Sequence, residues 1–347
     1  MTMSSYLRCA TATATLYLVC GAAATQQRSP DAAPLYRRAF AEMDRALQQE
    51  TDNPVAYPKV DPPDVAAFRA APWPALLRKT AVARALFAQA AGHQRCAFDK
   101  ARDEKGIEDE VTEHFGDFLT AQTFIVAHAF SVVSERPDAA LADAEALLAA
   151  AQHLEQQDGL FAVMVANNLA GGGLLICEAM LNVSGDLAPR SAILRRALKA
   201  VEARRNQASN PRRLADRAVK DARGLLAALD NPEAKNAPAI QAARARAIEM
   251  IDALVEPLRT ARAGDADKLR AATDAGVASL KAQLDSKRTA EILEEGVGEA
   301  LAAALATMVA PNSVGLFQAW EKHRRQLDRV AAALRDRCAT ESASKQR

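Results

Sequence analysis

Apolar positions recur along this chain at three- and four-residue intervals, the spacing of one face of an α-helix, and nothing reads as a strand. Leu35, Phe40, Met43 and Leu47 predict a short amphipathic helix over 32–49. The following TDNPVAYPKVDPPD, residues 51–64, carries four prolines and predicts an extended loop, because each proline removes a backbone donor. Pro74 suits the first turn of a helix running to Ala91, with Leu77, Ala81, Leu86 and Phe87 inward. The carboxylate run at 103–113 predicts a helix opening there, since acidic groups favour a helix N-terminus. That helix continues through FLTAQTFIVAHAFSVV to Ser134 and is apolar nearly all round, which places it centrally. Pro137 starts another helix, a break falls at Gln157–Gly159, and LFAVMVANNLAGGGLLICEAML follows as a third. Helix, tight turn and helix succeed one another without a fixed period.

The second half is punctuated by caps. Asn210-Pro211 and Asn231-Pro232 each set a capping side chain before a first-turn proline, and Asp265 and Asn312 are expected caps too. Ala247, Ile251, Leu254 and Leu258 step by helical intervals. Phe317, Trp320, Arg324, Leu327, Ala331, Leu334 and Cys338 do so throughout, as in a coiled-coil seam. The last residues, ATESASKQR, are expected to be loose. The fold class is all-α: a helical bundle or helical-hairpin array, in which a globular helical part precedes long amphipathic helices.

Charge divides this pattern in two. Residues 25–185 hold 14 basic and 22 acidic side chains, a net of −8, whereas residues 186–347 hold 29 and 21, a net of +8. The near-neutral total of +1 conceals that split. Aromatic residues segregate as well: beyond residue 185 only Phe317 and Trp320 occur. The expected parts are therefore an acidic helical domain over 25–185 and a basic Ala/Leu-rich bundle over 186–338, with residues 339–347 as a tail. Attraction between them is expected to shape the molecule. An apolar content of 50% excludes a disordered chain.

Residues 1–24 have the layout of a secretory signal: Arg8, a short apolar run from Cys9 to Val19, then Ala22, Ala23 and Ala24. No transmembrane span is expected after it. The expected location is periplasmic or secreted, with a lipoprotein anchored at Cys20 as the alternative. Cleavage at Ala24 leaves Cys96, Cys177 and Cys338, enough for one disulfide whose pairing stays open. Their spacing matches no zinc motif, so neither a metal nor a cofactor is expected.

Phosphate-loop, zinc-protease and nucleophile-elbow motifs are absent from the sequence. Gly171-Gly172-Gly173 predicts a helix against which a neighbouring backbone presses closely. His93 and His153 stand near helix ends, where a cation suits the dipole. His128 is expected to bond Asn167 or Glu178 from within its apolar helix. Glu178 interrupts LLICEAML and must be paired or protonated there. The stretch Arg190–Arg223 holds 11 cations against three anions. Arg195, Arg196, Lys199, Arg204, Arg205, Arg212 and Arg213 are its candidate anion-binding residues. Docking on the chain's own acidic half is the alternative use of that face. Nucleic acid is disfavoured, because the stretch offers no aromatic for base stacking.

The early LYRRAF at 35–40, Gln94-Arg95-Cys96 followed by Asp99, His114 with Gly116, ALADAEALLAAAQHL at 140–154 and the later Glu178 resemble a family of secreted, uncharacterised helical proteins of planctomycete-type bacteria. The likeness covers about residues 35–182. Where such proteins show an aromatic and a glycine after the Arg-Cys pair, this chain has Ala97-Phe98-Asp99. The resemblance implies an all-helical exported domain and no particular activity. It makes Arg95, Asp99, His114 and Glu178 the polar residues of first interest. The expected function is thus an exported helical interaction or structural protein of the cell envelope, partnered by protein or an anionic envelope surface. The alternatives are an acid/base enzyme site at Glu178, His114 and Asp99, and binding of anionic membrane or envelope polymer through Arg190–Arg223.

Overall fold

The computed structural model describes residues 31–48, 68, 70, 72–98, 114–157, 159–183, 191–207, 210–228, 238–262, 264–286 and 297–344. Among these the protein is all-α. Its helices are α1 (Ala33–Gln48), α2 (Trp73–Lys79), α3 (Ala81–Ala91), α4 (Phe115–Val132), α5 (Pro137–Glu155), α6 (Leu160–Asn182), α7 (Ser191–Gln207), α8 (Pro211–Ala228), α9 (Pro238–Thr260), α10 (Ala266–Ser286) and α11 (Val297–Ser344). The extended backbone is a single bridge between Asp31 and Arg95. The signal-like segment with Cys20, the proline-rich 51–64, the carboxylate run at 103–113 and Asn231-Pro232 lie outside the described residues.

Several expected signals act as predicted. Pro137 occupies the first turn of α5, and the Asn210 side chain accepts the Arg213 amide at 2.9 Å ahead of α8. Gly159 joins α5 to α6 at φ 98°, a conformation that glycine adopts without steric cost. Asp265 precedes α10, but its carboxylate turns back to the Arg262 amide at 2.9 Å.

Four boundaries differ from expectation. The helix expected from Pro74 to Ala91 divides at Thr80, where the hydroxyl donates to the Leu76 carbonyl at 3.0 Å and competes with the regular ladder. The helix expected to open within 103–113 begins at Phe115. Asn312 is not a cap: α11 runs through Pro311 and Asn312 without ending, because packing along α9 and α10 outweighs local propensity. The tail expected after Cys338 is helical to Ser344, and Thr340 anchors its hydroxyl on the Asp336 carbonyl at 2.9 Å.

The helix α6 lies at the centre, packed by α4, α5 and α11. It is 23 residues long with a mean hydropathy of 1.8, long and apolar enough by length and composition to cross a membrane. Here most of that surface is buried inside the protein, with Leu169, Leu174 and Ile176 fully enclosed.

Two hydrophobic clusters form, and they do not follow the division at residue 185. The first, the body, joins α1–α6 to Ile193, Leu194, Ala197 and Val201 of α7 and to Leu327, Val330, Ala331 and Leu334 of α11. The second, the arm, joins Val163 of α6 to Leu214 and Ala218 of α8, Ile251 and Val255 of α9, Leu269 of α10, and Phe317 and Trp320 of α11. The seam along α11 is therefore buried as its spacing predicts, but against several helices in succession. At about 1.5 Å per residue, α11 extends about 72 Å and passes along both clusters.

Candidate functional site

Three polar clusters are built into this apolar framework. The first closes the Leu160 end of the body. Tyr36, fully buried on α1, meets Nδ1 of His153 at 3.1 Å, and Nε2 of His153 meets the His93 carbonyl at 2.7 Å. A carbonyl only accepts, so Nε2 carries the proton and Nδ1 receives the tyrosine hydroxyl. Burial lowers the pKa of His153 and raises that of Tyr36 well above its usual value, the nearby Cys96 adding to the latter. His153 is thus a neutral structural hinge pin and not the dipole-stabilised cation expected of it. Asp31 accepts the Ala33 and Ala97 amides at 3.1 and 2.9 Å, and Gln157 donates to the Cys96 carbonyl at 2.6 Å. LYRRAF and the Arg95-Cys96 pair are brought together here by this network, with the Arg95 side chain itself exposed.

The second cluster is on the flank. Nδ1 of His128 lies 2.5 Å from Asp143 on α5, so its partner is neither Asn167 nor Glu178. The correction follows from helix phase, since His128 faces α5 and both side chains keep partial exposure. Arg84 lies near Asp143 and donates to the Leu77 carbonyl at 2.8 Å; burial lowers its pKa. An imidazole oriented by a carboxylate is suited to moving a proton at its other nitrogen.

The third cluster lies between the body and the arm. Arg204 of α7 and Glu155 of α5 pair at 2.9 Å with side chains only 1% and 5% exposed. Arg217 of α8 donates to the Glu155 carbonyl at 2.5 Å. His323 of α11 is buried near Arg204, and burial together with that positive charge pulls its pKa down to about 3. Its Nε2, and Nε and Nη1 of Arg204, are buried without a hydrogen-bond partner.

The remaining expected residues are dispersed. Glu178 is paired, as its surroundings require, with Arg329 of α11 at 2.6 Å. His114 bonds Asp117 at 2.7 Å and lies against the rings of Phe40 and Phe98. The Phe115 and Phe161 rings meet at a tilt with centroids 4.8 Å apart, which puts His114 near the start of α6. Glu178 is about 17 residues further along, about 25 Å away at the helical rise. His114 and Glu178 are therefore not brought together, and Asp99 lies outside the described residues. Cys96, Cys177 and Cys338 are not joined in a disulfide. Burial, with Glu145 and Glu178 nearby, pushes the Cys177 thiol up to about 12.

The basic stretch is used internally at several points. Arg196 reaches Glu145 at 2.7 Å and Asp138 at 3.8 Å, Arg204 takes Glu155, and Arg205 takes Asp328 at 2.6 Å. Arg195, Lys199, Arg212 and Arg213 are exposed. They are divided between α7, which packs on α5 and α11, and α8, which packs on α9 and α11. Among the described residues no group of three or more His, Cys, Asp or Glu side chains is placed to hold a metal ion. No family model, curated protein or solved structure matches the chain.

Sequence reasoning missed the roles of Tyr36, Asp143 and Glu155. Glu155 carried one available signal: a carboxylate closing the heavily apolar α5 one residue after Leu154.

Proposed function

We propose that the protein is an exported helical interaction component of the cell envelope, with α11 as the strut that presents the arm to a protein partner. The observation that carries this reading is the continuity of α11 past both hydrophobic clusters. A helix held in the body along its 327–338 stretch carries its direction into the arm. Its outward face is charged, with Lys322, Arg325 and Arg329 exposed between the buried seam positions. The layout of residues 1–24 supports export, and the family resemblance of residues 35–182 points the same way.

Cell fractionation, N-terminal sequencing and photocrosslinking in cells test it together. A photoreactive residue at Lys322 is expected to give discrete protein adducts in the envelope fraction, and one at Ala41 on α1 is not. Intact Met1 on cytosolic protein, or the same adducts from both positions, would refute it.

A further inference from the structure

The third cluster occupies a specific level of the fold. On α11, His323 falls between Trp320, which belongs to the arm, and Leu327, which belongs to the body. On α7, Arg204 follows Val201 of the body; on α5, Glu155 follows Leu154 of the body. On α8, Arg217 sits between Ala215 and Ala218 of the arm. On α6, Ala162 is in the body cluster and Val163 in the arm cluster. Buried Glu155, Arg204 and His323, with half-buried Arg217 beside them, therefore lie on four helices where the two apolar cores meet, and α6 passes from one core to the other at Ala162 and Val163.

From this layering we infer that the Glu155–Arg204–His323 layer is an acid-sensitive latch, whose protonation releases the arm from a body that stays folded. The geometry supplies the reason. Arg204 is enclosed beside one carboxylate, Glu155, and one imidazole, His323. Neutral imidazole is tolerated next to the guanidinium, whereas imidazolium sets two like charges together away from water. Separation of the arm from the body exposes His323 and returns it to an ordinary affinity for protons. The released state thus binds a proton that the docked state resists, so acid below about pH 6.5 favours release.

The other charged groups around α11 at this level are occupied. On α7, Arg205 pairs with Asp328, and its carbonyl accepts Arg324 at 3.1 Å. On α11 itself, buried Glu321 holds Arg325 at 2.8 Å and accepts the Gly264 amide. On α8, Asp216 pairs with Arg259 of α9, and Asp221 accepts the Leu160 amide. On α9, Asp252 and Glu256 also hold Arg259; at the start of α10, Asp265 and Lys268 lie 3.6 Å apart. Among these described groups His323 is the one whose neutral form is enforced by burial and, after it, by a buried cation.

The test is amide hydrogen exchange of the full chain, corrected for the intrinsic pH dependence of exchange. One proton taken up at His323 raises the opening equilibrium of the arm about 100-fold between pH 7.5 and pH 4.5. Protection of segments 214–219 and 317–320 is expected to fall by that factor, while 124–130 and 169–177 keep theirs. His323→Leu is expected to abolish the pH dependence. Glu155→Gln, which keeps the shape but removes the counter-charge, is expected to loosen the arm already at pH 7.5. Parallel loss of protection in arm and body overturns the latch. So does an unchanged pH response in His323→Leu, or, where that variant does not fold, an arm in Glu155→Gln as protected as in the parent.

Discussion

The three consecutive glycines of α6 permit a test in which chemically identical substitutions are expected to differ in sign. A Cβ built on Gly171 meets nothing within 4 Å. A Cβ on Gly173 would lie 2.9 Å from Leu148 Cγ and 3.1 Å from the Ala144 carbonyl oxygen. Neither is the free end of a flexible side chain: one is a branch point and the other is backbone of α5. Replacing glycine by alanine within a helix is worth about 1 kcal/mol through backbone entropy. At Gly171 that gain stands alone, so Gly171→Ala should stabilise the protein by up to about 1 kcal/mol. At Gly173 the same gain is opposed by overpacking of about 1–3 kcal/mol, because α5 and α6 must move apart. Gly173→Ala should therefore destabilise by up to about 2 kcal/mol net. Gly172 is intermediate, since its Cβ would meet the movable Gln122 amide at 2.9 Å and Leu147 Cδ1 at 3.2 Å. Urea unfolding followed by far-ultraviolet circular dichroism reads the differences directly, with unchanged slope as the check that only stability moved. Shifts of the same sign for Gly171→Ala and Gly173→Ala would refute the close approach of α5 to α6.

Three further outcomes are expected. Tyr36→Phe should cost about 1–3 kcal/mol, because it leaves the buried Nδ1 of His153 without its donor; thermal unfolding measures it, and a change below about 0.3 kcal/mol would argue against the tyrosine–histidine bond. Native protein at pH 8 should be alkylated at half-exposed Cys338 well before buried Cys177, whose thiol is pushed up to about 12; mass spectrometry of a labelling time course shows the order. Glu178→Gln should cost no more than about 1 kcal/mol, and the loss should fade in 1 M salt, because Arg329 is largely solvated; equal loss at low and high salt would place the carboxylate in a different role.

Much of the architecture is legible in the chain because helix signals are local. Pro137 and Asn210 mark real starts, and Phe317, Trp320, Leu327, Ala331 and Leu334 lie on a buried seam. The errors arise where a tertiary contact decides. Thr80 breaks a continuous apolar pattern by a single hydroxyl bond, and Asn312 looks like a cap but lies in a helix held by its neighbours. The polar clusters were least legible. His128 and Asp143 are 15 residues apart in sequence, and their meeting depends on the phase of two helices about a turn whose geometry no motif announces. Arg204 was legible as one cation among many. Its burial depends on α7 laying its last turns across α5, which charge counting does not reveal.

The opposite charge of the two sequence halves suggests that electrostatic attraction assembles the molecule, and the magnitudes assign it a smaller part. Across the division the visible pairs are Arg196 with Glu145 and Asp138, Arg329 with Glu178, and Arg204 with Glu155. The first two arginines are more than half exposed, and such pairs contribute about 0–1 kcal/mol each. The third is buried, and the desolvation of both charges offsets most of its attraction. Against this, Leu327, Val330 and Leu334 of α11 are at most 1% exposed within the body cluster. Burying side chains of that kind is worth about 1.5–3 kcal/mol each. Ile193, Leu194 and Val201 of α7 add burial of the same class. Apolar packing therefore holds the C-terminal helices on the body. The same packing fixes register: a shift of α11 by one helical turn would carry Arg324 to the level of Trp320 or His323 to the level of Leu327, setting a polar side chain in an apolar core, and would also separate Arg329 from Glu178.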